Sequence, residues 1–342
     1  MKKLLPVLLL PLVMILALML GSVTLSPAEV SRAVWSGVFT VMETPDDHRL
    51  ELARIILFQV RLPRVLVAAG AGAALSLAGL LMQTVFRNPL AGPGVLGVSA
   101  GAGLGVALVV LAGAGGRLTA PTVTAAVIGA GAVIVLMMIV HRAVGRPVVV
   151  LVLGLLLGYA AGALTSILMA TSPAEGLEQY IIWSFGSFAL PAGWAPTILL
   201  GMVFACGVPL MIIASRMDAL LLGTAYAESL GIHARRFQGV LLLIAGVLTG
   251  IVTAFTGPIS FIGVAVPHLA RGYLRTSLHR RLLPLTMVFG ASLAILADLL
   301  ARLPGSDRVL PLNAVLAIVG VPVVLTVILR PGGGTGSGGV EL

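Results

Sequence analysis

Charge is scarce in this chain: of 342 residues, 10% are Asp, Glu, Lys or Arg, against 59% hydrophobic. A water-soluble fold with so few charges could not keep a wettable surface, so the composition excludes a soluble globular protein. Lysine is scarcer still. Lys2 and Lys3 are the only lysines, so no Gly-x-x-x-x-Gly-Lys-Ser/Thr phosphate-binding loop exists and the chain does not hydrolyse ATP itself. Its single cysteine, Cys206, excludes an internal disulfide and a multi-cysteine metal site. A polytopic membrane enzyme would need clustered acids, histidines or a nucleophile at one interface, which these sparse charges do not supply.

What is present is apolar sequence, in stretches near the ~20 residues that cross a bilayer. Hydropathy and Gly/Pro punctuation divide it into spans at about 4–24, 65–86, 94–111, 120–140, 148–169, 194–214, 240–255, 259–269, 282–303 and 310–329. The expected fold is all-α, a polytopic bundle of about ten transmembrane helices in one domain over residues 1–342. Its spans occupy about 4–330, and a Gly-rich flexible tail follows at 331–342. Lys2-Lys3 before an apolar run resembles a signal peptide, but the run is long for one, and retention as a first helix is the expectation. The third, seventh and eighth spans read as short and broken by Gly or Pro. Such breaks are tolerated at membrane depth only where the backbone faces protein or water, and they point to a transport pathway.

Ten spans put both termini on one side. That side holds Lys2, Lys3, Arg87, Arg142, Arg146, Arg216, Arg235, Arg236, Arg271, Arg275, Arg280, Arg281 and Arg330, against Asp218, Glu228 and Glu341. Arginines and acids on the other side balance. The positive-inside rule therefore makes the basic side, with both termini, cytoplasmic. The net charge of +9 needs no nucleic acid to explain it.

Several local patterns carry more than span information. Arg61-Leu62-Pro63-Arg64 places fixed charge at the start of one span, and Asn88-Pro89-Leu90-Ala91-Gly92-Pro93 breaks its far end. Asp298 precedes Arg302 by one helical turn, so the two share a face as an ion pair, or else Asp298 serves as a proton relay. Gly154, Gly158 and Gly162 form a smooth stripe suited to close helix packing or to lining a path. Within 219–236, residues 221–232 are too polar to span and contain helix formers stopped by Gly231. They form either a short surface helix that docks a soluble protein or an ordinary loop.

Taken together, Arg61-Leu62-Pro63-Arg64, Gln83, Asn88-Pro89-Leu90-Ala91, Pro93, Leu96-Gly97, the segment from Ala227 to Gly231, Gly257-Pro258, Phe261-Ile262-Gly263, Pro267-His268-x-x-Arg271, Asp298 and Arg302 resemble a known family. It is the FecCD-type permease family of type II ATP-binding-cassette importers for iron-siderophores, haem and cobalamin. The resemblance runs from about residue 50 to Arg330.

The resemblance implies a bacterial inner-membrane permease paired with a second permease copy, expected as a homodimer. Two cytoplasmic ATPase subunits and a periplasmic binding protein complete the assembly. No cofactor is expected on this chain, ATP and Mg being bound by the ATPase subunits, and no metal ligand or catalytic residue is expected. By the same resemblance Arg61, Arg64 and Arg302 dock the binding protein from an exposed outer surface. Ala227, Glu228, Ser229, Leu230 and Gly231 couple to the ATPase, and Asn88 and Leu90 gate the inner end. Gly154, Gly158 and Gly162 lie beside the pathway near the subunit interface, and His268 is expected to end a helix. Pro147 and Val148 stand where relatives often have polar residues, and Val309-Leu310-Pro311-Leu312-Asn313 lacks the usual acid, which Asp307 could replace. The substrate stays open among siderophore, haem and cobalamin, and a proton-coupled carrier using Asp298 is the alternative.

Overall fold

In a computed structural model of the protein, the described residues are 5–21, 26–38, 48–111, 120–190, 193–302 and 309–328. They are helical almost throughout. The helices are α1 (Leu5–Met19), α2 (Pro27–Val38), α3 (His48–Ile55), α4 (Leu62–Phe86), α5 (Val98–Val110), α6 (Ala120–Val144), α7 (Pro147–Ala170) and α8 (Ala174–Ser184). They continue as α9 (Ala195–Ile212), α10 (Ala214–Leu221), α11 (Thr224–Ser229), α12 (Ala234–Thr256), α13 (Ile262–Leu274), α14 (His279–Ala301) and α15 (Leu312–Ile328). A π-helical turn, Ile56–Arg61, joins α3 to α4, and a 3-10 turn, Pro93–Leu96, precedes α5. The tail at 331–342, with Asp307 and the basic residues at either terminus, lies outside the described residues.

Each of the ten expected apolar stretches contains a helix, and six helices among the described residues are long and apolar enough to span unaided. Two features of the expected layout differ. The seventh stretch is not short or broken: α12 runs 23 residues without interruption, and its Gly246 and Gly250 are contact points for Ile134 and Ala130 of α6. Helices α2, α3, α8 and α10 are additional, too short or too polar to register as spans. At the start of α2, Ser26 and Glu29 cap each other: the Ser26 N–H donates to the Glu29 carboxylate (2.8 Å) and the Glu29 N–H to Ser26 Oγ (3.2 Å). These bonds hold the exposed Glu29 carboxyl below its ordinary pKa, so its share of the cap is lost only as pH falls through that lowered value.

Helix α4 is the centre of the bundle. Its spanning window is 94% buried, against 17% for α6 and 22% for α7. The sequence explains this, because nine of the twelve residues from Ala68 to Gly79 in the middle of α4 are Ala or Gly, which let other backbones approach closely. A Cβ added at Gly72 would lie 2.2 Å from the Gly290 carbonyl oxygen of α14, and one at Gly79 would lie 1.7 Å from that of Gly263 on α13. Ser76 seals the first of these contacts by donating to the Thr286 carbonyl (3.0 Å).

The two real breaks are each braced by protein on one side. After α4, Arg87 turns left-handed (φ 47°), and the chain folds back so that Pro93 packs on Gly263 and Gly92 on Val264. Local bonds supply the freed backbone: the Leu90 N–H donates to Asn88 Oδ1 (2.9 Å) and the Ala91 N–H to the Asn88 carbonyl (3.1 Å). Between α12 and α13, Phe261 sits at φ 66° in a γ-turn closed by the Ile262 N–H to the Ser260 carbonyl (2.8 Å). Residues 91–93 are buried while 87–90 and Ser260 are exposed, so each break has a protein-facing side and an open side.

The packing account predicts that Gly72→Ala and Gly79→Ala each destabilise the folded chain by about 1–3 kcal/mol or more, as overpacking does. Gly201→Ala, on α9 with no atom within 4 Å of the new methyl, should be neutral or slightly stabilising. Thermal unfolding of the purified chain in detergent checks both.

Candidate functional site

One end of the α4–α14 pair is closed by a buried charge cluster. Proline at the second position of α4 is compatible with a helix start, and Arg64 follows one residue later. Its Nε lies 2.9–3.0 Å from both carboxylate oxygens of Asp298, and its Nη2 lies 2.8 Å from Oδ1. Arg302, one turn beyond Asp298 on the same helix, reaches Oδ2 at 3.0 Å. Arg64 and Arg302 keep 15% and 12% of their side-chain surface exposed, and Asp298 keeps 4%. The expected pairing of Asp298 with Arg302 is present, and Arg64 is the partner that sequence spacing did not reveal.

Arg61 differs from the exposed docking point expected of it. It is 4% exposed, and its Nη1 donates to the carbonyls of Leu18 (2.6 Å) and Met19 (2.9 Å) at the C-terminal end of α1. The reason is local: the last carbonyls of a helix lack partners, and a guanidinium supplies several donors. Arg61 thereby fastens α1 to the start of α4.

At the opposite, basic end of the bundle, Asn88 and Leu90 lie on the exposed side of the first break. Gly97, at φ 74°, cannot be replaced without strain, and a Cβ there would lie 2.6 Å from the Gly154 carbonyl of α7. The glycine stripe of α7 therefore divides. Gly154 packs on the 3-10 turn, Gly158 lies near Gly97, and Gly162 faces open space. Pro147 starts α7 and Val148 is 71% exposed.

The expected surface helix is α11, six residues long, ended by Gly231 at φ 77°. The Ile232 N–H donates to the Ala227 carbonyl (3.0 Å) and the Gly231 N–H to that of Glu228 (2.9 Å), the Schellman stop that the sequence indicated. Ala227 is fully buried and Glu228, Ser229 and Leu230 face outward. Leu222, Tyr226 and Leu230 expose 69%, 47% and 57% of their surface.

A buried polar chain ties this region to the core. Asp218, on α10, accepts from both the backbone N–H (2.8 Å) and Nδ1 (2.6 Å) of His279, the first residue of α14. His279 Nε2 shares a hydrogen bond with Thr84 Oγ1 of α4 (2.8 Å). Arg87, just past α4, approaches the α10–α11 junction, where a Cβ on Gly223 would lie 3.7 Å from its Nη1. Sequence reasoning missed the Asp218–His279–Thr84 set, because α11, α12 and α13 separate Asp218 from His279 along the chain.

Other motif residues take structural parts. Gln83 donates to the Val264 carbonyl (3.2 Å) and accepts from Arg271, linking α4 to α13. Asn313 donates to the Pro258 carbonyl (2.7 Å) and accepts from the Ser260 N–H (3.0 Å), bracing the second break. His268 lies inside α13, which runs on to Leu274, so it does not end a helix. Val309 is 66% exposed. Among the described residues no group of three His, Cys, Asp or Glu could hold a metal ion.

Residues 9–330 match the FecCD transport family. The chain is 32% identical over 323 residues to the uncharacterized ABC transporter permease protein YvrB of Bacillus subtilis, covering 92% of this chain and 90% of YvrB. It is 35% identical over 291 residues to the vitamin B12 import system permease protein BtuC of Photorhabdus laumondii, covering 84% and 85% of the two chains. A solved metal-chelate type ABC transporter in an inward-facing conformation superposes with a TM-score of 0.79 at 27% identity, over 95% of this chain and 97% of that one. The Streptococcus pneumoniae PsaBC structure matches in fold alone, with a TM-score of 0.55 at 13% identity.

Asp298→Asn would leave two guanidiniums facing a neutral amide and should destabilise the chain by about 3–5 kcal/mol, the usual cost of orphaning a buried charge. Arg302→Gln, which keeps the bidentate Arg64 pair, should cost clearly less. Equal melting temperatures for the two variants would contradict this geometry.

Proposed function

The chain belongs to the FecCD transport family of ABC importer permeases, and we propose that it carries an iron chelate, haem or cobalamin from periplasm to cytoplasm across a bacterial inner membrane. The metal-chelate and vitamin B12 descriptions of its relatives support that substrate class. ABC permeases work with ATPase and substrate-binding partners. In this reading two cytoplasmic ATPase subunits supply the energy, a periplasmic binding protein delivers the solute, and a second copy of this chain completes the path. Both termini are then cytoplasmic, and ATP and Mg stay on the ATPase.

The observation that carries the reading is the exposure of Leu222, Tyr226 and Leu230 on and beside short helices outside the membrane spans. Apolar side chains there have no lipid to meet, and a cleft in a soluble subunit would bury them. Beneath them, α10 is bonded through Asp218 and His279 to the start of α14 and, through Thr84, to the end of α4. A push on this surface therefore reaches two core helices directly.

At the periplasmic end, Arg64 and Arg302 outnumber Asp298 and keep part of their surface exposed, leaving local positive charge for acidic side chains of a binding protein. Such contacts set register and on-rate and weaken with salt. Asn88 and Leu90 form the inner gate. The exposed apolar face of α7, including Val148 and Tyr159, meets the second copy. The carrier alternative is not favoured, because both oxygens of Asp298 are held by arginines and offer no free place for a transported proton.

Tyr226→Glu and Leu230→Glu should leave the melting temperature unchanged, because both side chains are exposed. They should weaken co-purification of the ATPase and lower ATP-dependent uptake by about tenfold or more, as loss of a central apolar contact does. Unchanged association and uptake would refute the docking surface.

A further inference from the structure

A second candidate site lies where the end of α6 meets the start of α12, a few residues after α11. Between the end of α6 and the start of α12 is a cavity of about 480 Å³ whose walls include Arg142, Arg235 and Arg236, with no acid among its lining residues. Its apolar lining is Met138, Val240 and Leu243. Three guanidiniums over an apolar floor, at the boundary of two lipid-length helices, is an unusual use of charge if only helix ends are being anchored.

The site is built rather than incidental. Arg235 donates to the Arg142 carbonyl and lies across Gly145, where a Cβ would come within 2.9 Å of its Cζ. His141, 3% exposed, lines the cavity and donates from Nε2 to the Arg235 carbonyl (2.9 Å). Because a carbonyl can only accept, Nε2 carries the proton, and the other ring nitrogen, Nδ1, is buried with no hydrogen-bond partner.

We infer that this cavity binds the headgroup of one anionic phospholipid of the cytoplasmic leaflet, of the phosphatidylglycerol type. Its phosphate meets Arg142 and Arg236. The acyl chains run along the apolar surface that continues towards mid-membrane, where Val135 and Ile139 of α6 and Val240 of α12 are exposed. This continuity favours a lipid over free phosphate, and basic pockets between spans on the cytoplasmic side suit such headgroups. The α12 N-terminus, aimed at the same end, adds favourable dipole and N–H groups for an anion. The inference requires the orientation proposed above but is independent of the transported solute.

Native mass spectrometry of the full chain, titrated in mixed micelles with phosphatidylglycerol or phosphatidylcholine, tests it. The wild-type chain should retain one phosphatidylglycerol in preference to phosphatidylcholine, and millimolar inorganic phosphate should not displace it. Arg142→Gln and Arg236→Gln should each lower that preference about fivefold. Arg280→Gln with Arg281→Gln, exposed at the same end but outside the cavity, should leave it intact. Equal retention of the two lipids by the wild-type chain would overturn the proposal without needing any variant. So would displacement by phosphate, or an equal loss in the control pair, which would indicate surface charge alone.

Discussion

The fold depends on the clasp between α4 and α14. It is fastened at three levels: Arg64 to Asp298 at one end, Gly72 against Gly290 with Ser76 on the Thr286 carbonyl in the middle, and Thr84 to His279 at the other end. The middle level exists because neither glycine has a Cβ, so the two backbones touch. With that separation fixed, the charged groups at the two ends come within bonding distance. Without it, Asp298 would lose its bidentate partner Arg64 and keep only Arg302, and His279 would lose Thr84 and keep only Asp218. Polar groups left short of partners in an apolar bundle are costly.

The same closeness explains where the chain can afford irregular backbone. Helices α9, α12, α13 and α14 surround α4, so the breaks after α4 and before α13 each have a protein surface to rest on. Pro93 rests on Gly263, and Asn313 bonds the second break from α15. Membrane helices gain little from burying apolar surface against one another, since lipid is equally apolar. Dispersion contacts and satisfied polar groups must hold the bundle together instead.

Much of this was legible in the sequence. Apolar length located the helices, Gly231 marked the end of α11, and the spacing of Asp298 and Arg302 foretold their pairing. Glycine was the ambiguous letter. In α12, Gly246 and Gly250 read as breaks, yet they receive side chains of α6 on an unbroken helix, because a missing side chain serves a turn and a close contact equally well. The fate of Arg61 was hidden for another reason: the carbonyls it satisfies belong to α1, some forty residues earlier, and no local pattern records them. The link from Asp218 to His279 likewise joins residues far apart in sequence, whose proximity is a product of packing.

In the proposed reading, an ATPase held at the basic end drives this bundle. Reconstitution with a cognate ATPase and binding protein in sealed vesicles tests that claim most directly. Uptake of cobalamin, haem and a ferric chelate would be followed with ATP supplied on one side or the other, with and without a proton gradient. One of these solutes should accumulate only when ATP is present on the side bearing α10 and α11, and a protonophore should have no effect. Accumulation driven by a proton gradient, with the ATPase absent, would contradict it.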